Sequence, residues 1–235
     1  MNPKPFRVIG CAEWGARPPK SGVLPVTKKP NKAVLHHTDG HFRELDHTSG
    51  ESYAEAVAYV KSIQNFHMDT RGWIDTGQNF TVTRNGYIFE GRHGSFARVS
   101  KGQMVHSAHC ADNLGHSEND QPGVEIEHKG VENWTPIQHE AAVWLFAWIC
   151  KACAIPASHI YGHKDFMATA CPGLLYTRLP QFRIEVAAAL KPTAKKHYYQ
   201  IKTIDVHGMT KVVTQSKRTF VLGPDVVSAE IQRNP

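Results

Sequence analysis

Two hydrophobic periods alternate along the first 190 residues, and each switch between them marks an element. "KAVLHHT" (32–38) is a strand-forming run that ends abruptly in polar residues, the pattern of a buried strand with functional side chains at its tip. "ESYAEAVAYVKSIQNFHMD" (51–69) spaces Tyr53, Ala56, Val57, Val60 and Ile63 along one helical face. "NFTVTRNGYIFEG" (79–91) reads as a hairpin with Asn85-Gly86 as its two-residue turn. In "GVEIEHKG" (123–130) the strand period puts Val124, Ile126 and His128 on one face and Glu125 and Glu127 on the other. Thr135 caps the next helix, with Pro136 at its first position and Gln138 three residues after the cap. A last helix fits 180–190. Strands alternating with helices indicate an α/β domain over residues 1–190.

The pattern changes at "KPTAKKH" (191–197), which reads as a linker. Residues 198–235 show two or three short β-strands, too few for a confident core of their own. Packing on the main domain, pairing with another chain and gripping a substrate polymer all stay open for this tail.

Composition narrows the class. The chain has 235 residues, 41% hydrophobic and 20% charged, which suits a soluble globular protein. No apolar run approaches the ~18 residues of a bilayer span, so stable membrane insertion is not expected. The N-terminus lacks the apolar core and cleavage site of a signal peptide, and a soluble, cytoplasmically made protein is expected. A net charge of +6 favours polyanionic partners. Basic and aromatic residues do not alternate in a base-stacking pattern, which argues against nucleic acid. Five cysteines and no signal argue against a disulfide framework. Cys150 and Cys153 form a CxxC inside an apolar helix and read as core packing; a redox or structural zinc role for them has little support.

The chemistry concentrates in "GHKDFMATACPG" (162–173). Catalytic zinc takes three protein ligands and leaves a fourth position for water. His163 and Cys171 are candidate ligands, with Pro172-Gly173 fixing the turn after the thiolate, and His36 at its strand tip is the natural third. With fifteen histidines in the chain, spacing alone equally allows a polar loop with a core cysteine.

Four ordered motifs, "EWGARPP" (13–19), "VLHHT" (34–38), "FHMDTRGWIDTGQNFTVTRNGYIFEGRHG" (66–94) and "YGHKDFMATACPG" (161–173), resemble the type 2 N-acetylmuramoyl-L-alanine amidases and peptidoglycan recognition proteins over roughly residues 8–185. The resemblance implies a central mixed sheet flanked by helices, with one zinc ion at the floor of a groove held by His36, His163 and Cys171. It leaves His37 as a neighbour that points away or supports the site. Many relatives carry a tyrosine where this chain has Gln78, which cannot exchange a proton near neutral pH. Others use a glutamate matching Glu125, the expected general base, with Glu127 as the fallback. Thr169 matches a donor to the oxyanion. His109, Gln78 and Arg92 are implied as substrate contacts. The implied activity is zinc-dependent cleavage of the amide between N-acetylmuramic acid and L-alanine in bacterial peptidoglycan. The setting it suggests is a bacteriolytic endolysin acting on the wall after release. The alternative is a recognition module that binds peptidoglycan without cutting it.

Overall fold

The computed structural model describes residues 6–40, 52–112, 114–131 and 134–191, and four short strands beyond them. The chain divides into two compact units, Met1–Lys191 and Pro192–Pro235. In the first, the strands are β1 (Val8–Ile9), β2 (Pro25–Val26), β3 (Ala33–His37), β4 (Phe80–Val82), β5 (Ile88–Glu90), β6 (Met104–Val105), β7 (Gly123–Ile126) and β8 (Ile160–Gly162). The α-helices are α1 (Cys11–Trp14), α2 (Tyr53–Asn65), α3 (Ser95–Val99), α4 (Pro136–Cys153) and α5 (Leu175–Leu190). Six strands form one sheet in the order β1-β5-β4-β7-β3-β8. It is mixed, because β4 and β5 pair antiparallel while the other neighbours run parallel. The expected α/β architecture, a central mixed sheet flanked by helices, is what forms.

Strand alternation sorts the two faces. Leu35, Phe80, Val82, Val124 and Ile126 point into the larger core with Ala142, Leu145, Phe146 and Ile149 of α4 and Leu179 and Phe182 of α5. Phe146 and Phe182 meet edge to face with centroids 5.2 Å apart. Fully burying such side chains contributes on the order of 1.5–3 kcal/mol each. On the other face, Phe89 of β5 packs with Ala56, Tyr59, Val60 and Ile63 of α2 and Trp14 of α1. Cys150 and Cys153 are buried in the larger core as free thiols.

Several boundaries differ from the sequence expectation. The hairpin has a three-residue loop: Thr83 N–H bonds Tyr87 O, Gly86 N–H bonds Thr83 O, and Gly86 takes φ +76°. Asn85-Gly86 is therefore not a two-residue turn; the glycine supplies the left-handed residue that closes a longer one. A Cβ on Gly86 would also lie 2.9 Å from Ile137. Helix α2 ends at Asn65 and continues as one π-turn, Phe66–Thr70. Its buried face is Ala56, Tyr59, Val60, Ile63 and Gln64, while Tyr53 stays exposed. Helix α5 starts at Leu175 rather than at 180, with Pro180 inside it. Early in a helix a proline sacrifices few backbone bonds, so packing of Leu175 and Leu179 carries the first turn through it.

Among the described residues of the second unit are four strands, against the two or three expected: β9 (Tyr199–Ile201) pairs antiparallel with β12 (Ile231–Arg233), and β10 (Val212–Gln215) with β11 (Arg218–Val221). Residues 192–197 of the expected linker lie outside the described residues.

The α4 start is the most explicit local signal. Thr135 Oγ1 accepts from Gln138 N–H, Gln138 Oε1 accepts from Thr135 N–H, and the Thr135 hydroxyl also donates to Arg84 O at 2.6 Å. Thr135→Ala removes the cap and leaves the Arg84 carbonyl without that donor. The expected loss is about 1–2 kcal/mol, read as a lower urea midpoint with unchanged slope.

Candidate metal centre

Parallel pairing sets residues of neighbouring strands side by side on one face. Thr81 of β4 pairs with Glu125 of β7, and Glu125 pairs with His36 of β3. The row Thr81–Glu125–His36 therefore runs across the face opposite α4, where Glu125 remains partly open to solvent. Leu35 pairs with Gly162 of β8, so the next residue, His163, emerges beside His36, ring centroids 4.5 Å apart.

Cys171 comes from the loop between β8 and α5. Its Sγ lies 3.6 Å from His36 Nδ1 and accepts from His37 N–H at 3.4 Å. Two backbone contacts hold that loop: Lys164 N–H donates to Cys171 O, and Leu174 N–H to Gly130 O at 2.7 Å. Gly173, at φ +64°, meets Gly130 so closely that a Cβ there would sit 2.4 Å from Gly130 Cα. Thr169 Oγ1 accepts from Cys171 N–H at 3.2 Å and keeps its own proton free to donate.

The donor atoms of His36, His163 and Cys171 all lie within 4.8 Å of one another, the one such group of three or more among the described residues. Tetrahedral zinc with Zn–S about 2.3 Å and Zn–N about 2.0–2.1 Å would put a sulfur and a nitrogen ligand about 3.6 Å apart. The Cys171–His36 separation matches that figure, so the residues present fit zinc with a fourth position open.

Burial opposes charge throughout the site. It pushes the Cys171 thiol up to about 12 and lowers His36, His37 and His163, with neighbouring histidines adding to the effect at His36 and His163. Burial alone pushes the Glu125 carboxyl up to about 8. A nearby dication reverses this logic, stabilising thiolate and carboxylate alike.

The remaining expected residues are placed differently. His109 is only 8% exposed, its Nδ1 lies 2.9 Å from His36 Nε2 and its Nε2 lies 2.9 Å from Gln121 O. Both ring nitrogens are engaged within the protein, which leaves neither for substrate. Gln78 is buried and donates from Nε2 to Thr81 Oγ1 at 2.8 Å, at the end of the row that holds Glu125 and His36. Arg92 is 3% exposed and donates to the carbonyls of Thr76 and His106, tying two loops together. Glu127 is buried and its Oε2 accepts from Arg84 N–H in the hairpin loop, so it leaves Glu125 alone beside His36. His37 supports the site through its backbone N–H.

Nothing in the sequence pattern singles out Asp75 or Gln121. Asp75 is fully buried and accepts from Gln64 Nε2, Thr76 N–H, His93 N–H and His93 Nδ1, holding the 72–78 segment to α2 and to the loop after β5. Gln121 acts through its backbone carbonyl, which no side-chain motif reports. A separate polar cavity of about 300 Å³, lined by Lys28, Lys29, Lys101 and Gln103 among others, contains none of the site residues.

Fold and donor set define the class: an α/β domain with a zinc-type ligand triad on one partly open sheet face. The family model described as N-acetylmuramoyl-L-alanine amidase matches residues 26–174, and the chain belongs to that family. Peptidoglycan-recognition protein SC1a of Drosophila melanogaster is 31% identical over 170 residues, covering 71% of this chain and 80% of the relative. The N-acetylmuramoyl-L-alanine amidase of Homo sapiens is 30% identical over 182 residues, covering 70% of this chain and 27% of the human protein. Among solved structures, Drosophila PGRP-LB superimposes with a TM-score of 0.59 at 26% identity, covering 74% of this chain and 93% of that one. The ectodomain complex of PGRP-LCa and PGRP-LCx, solved with tracheal cytotoxin bound, gives 0.59 at 27% identity, covering 74% and 95%.

Two predictions follow from the charges. Zinc titration of the metal-free protein is expected to reach one ion per chain with proton release, and Cys171→Ser weakens binding by more than the ~10–100-fold typical of outer-shell changes. At Asp75 burial opposes the charge, but bonds from His93, Gln64 and Thr76 outweigh it and hold the carboxyl below its usual range; the same pairing raises His93. The Asp75 contribution is present above about pH 4 and lost as pH falls through its lowered value. The His93 contribution is present below about pH 6.5 and lost as pH rises through its raised value. Asp75→Asn should therefore destabilise most between about pH 4 and 6.5, by on the order of 3 kcal/mol in chemical denaturation, with the gap narrowing outside that window.

Proposed function

We propose that this chain is a zinc-dependent amidase that cleaves the bond between N-acetylmuramic acid and L-alanine in peptidoglycan. The observation that carries the reading is the register of β7 against β3, which stands Glu125 beside His36 on the face where the three donor atoms converge. His36, His163 and Cys171 would hold a zinc ion, which would supply Lewis acidity and a water of pKa lowered toward ~7. Glu125 takes the proton of the attacking water as its oxygen adds to the lactyl carbonyl carbon. The Thr169 hydroxyl donates to the carbonyl oxygen as negative charge gathers there. Glu125 then delivers its proton to the alanine nitrogen while the C–N bond breaks, leaving a carboxylic acid on the sugar and a free amine on the peptide.

The relatives named amidases and those named recognition proteins support peptidoglycan as the polymer bound in either reading. Gln78 favours a recognition module only if its side chain has to take the place of a proton carrier. It is buried against Thr81, and the chain carries Glu125 instead. The same proposal puts catalysis in residues 1–190 and a linker at 191–197, and leaves the role of the small β-rich tail, 198–235, open. In it, the protein acts as a soluble bacteriolytic endolysin on the wall after release, with the basic net charge aiding adhesion to an anionic wall.

Release of new N-terminal alanine from purified peptidoglycan tests the reading. Zinc-loaded protein should release it and chelator should stop it. Glu125→Gln should keep zinc binding and lose at least about 100-fold in rate, within the usual worth of a general acid–base group. Polymer binding with no amine release would make this a recognition module instead.

A further inference from the structure

The strand tip that offers His36 has a buried histidine pressed against it, and the fit is built by a missing side chain. A Cβ on Gly123 would lie 2.3–2.6 Å from the His109 ring, so only glycine at that point of β7 lets the ring reach His36. The two rings meet edge to face with centroids 4.8 Å apart. The contacts then form a line: Gln121 O to His109 Nε2 at 2.9 Å, His109 Nδ1 to His36 Nε2 at 2.9 Å, and His36 Nδ1 to Cys171 Sγ at 3.6 Å.

A carbonyl oxygen can only accept, so His109 Nε2 carries a proton. The bond between the two rings needs one hydrogen; His109, already protonated at Nε2, can supply it only as an imidazolium, whereas a neutral His109 accepts it from His36. If His109 donates it, His36 must accept at Nε2 and carry its own proton at Nδ1, on the side facing Cys171. If His36 donates it, the Nδ1 lone pair is free on that side. Only the second arrangement offers a metal a ligand.

We infer that His109 is a positioning residue that fixes His36 as its Nε2–H tautomer, with the Gln121 carbonyl in turn fixing His109, so that the Nδ1 lone pair is aimed at the metal before it arrives. The inference rests on His36 being a zinc ligand, as the proposed function has it, and needs no turnover. It also accounts for the buried position of a histidine that sequence resemblance would assign to substrate. Outer-shell partners of this kind, holding the second nitrogen of a ligating imidazole, orient the ring and raise its basicity.

The test uses the full chain without metal. Long-range ¹H–¹⁵N spectra of the imidazoles are expected to show both His36 and His109 protonated at Nε2; a His36 protonated at Nδ1 overturns the inference. Zinc affinity is then measured by competition with a chromophoric chelator. His109→Phe fills the space without an acceptor and should weaken zinc binding about 10–100-fold. His109→Asn returns an oxygen near the Nδ1 position and should recover most of that loss. Equal affinity for wild type and the Phe variant, or no recovery with Asn, overturns the inference. Because neither readout involves amide cleavage, a protein that binds zinc as described but releases no alanine defeats the proposed activity and leaves this inference standing.

Discussion

The site depends on one register. Parallel pairing of β4, β7 and β3 lines up Thr81, Glu125 and His36, and a slip of one residue in β7 would turn Glu125 into the α4 core and Val124 toward His36. That register is not held by the site. It is held by Leu35, Phe80, Val82, Val124 and Ile126 on the opposite face, whose burial against α4 and α5 admits only one phase of alternation. The hydrophobic core thus decides which carboxylate stands beside the metal ligands.

Around that row, the supports come from backbone more often than from side chains. His37 N–H, Lys164 N–H and Leu174 N–H hold the Cys171 loop, and the Gln121 carbonyl holds His109. Backbone groups tolerate sequence change, so the same geometry can be kept while surrounding residues vary. Gln78 fits this picture. Its amide nitrogen donates to Thr81, and in the proposed mechanism the proton chemistry falls to Glu125, one strand over.

The sequence carried the elements better than their ends. Period-two and helical spacing located β3, β7, α2 and α4, and the reciprocal cap at Thr135 and Gln138 was readable to the residue. Pro180 misled because a proline usually opens a helix, whereas here packing of Leu175 and Leu179 carries the helix through it. Asn85-Gly86 misled because the same dipeptide closes a three-residue loop when only the glycine is left-handed. Ordered motifs were enough to bring His36, His163 and Cys171 together and to point to Glu125, which stands beside His36 in the sheet. They could not tell that His109, Gln78 and Arg92 face inward, since whether a polar side chain meets protein or ligand is settled by neighbours distant in the chain, such as Thr81, Thr76 and Gln121.

The contact between Gly130 and Gly173 has a consequence for the order of events in folding. It joins the loop after β7 to the turn that presents Cys171, while its neighbour in space His36 lies 135 residues earlier in the sequence. Closing such long loops is entropically late, favoured only after the sheet and the α4 layer give the ends somewhere to meet. His36 leaves the ribosome long before Cys171, so the ligand set cannot assemble until all of the domain but its last helix has been made. In the proposed zinc enzyme, metal capture would wait for the β8–α5 loop, and a chain stalled before Cys171 would present His36 and His163 without their sulfur partner.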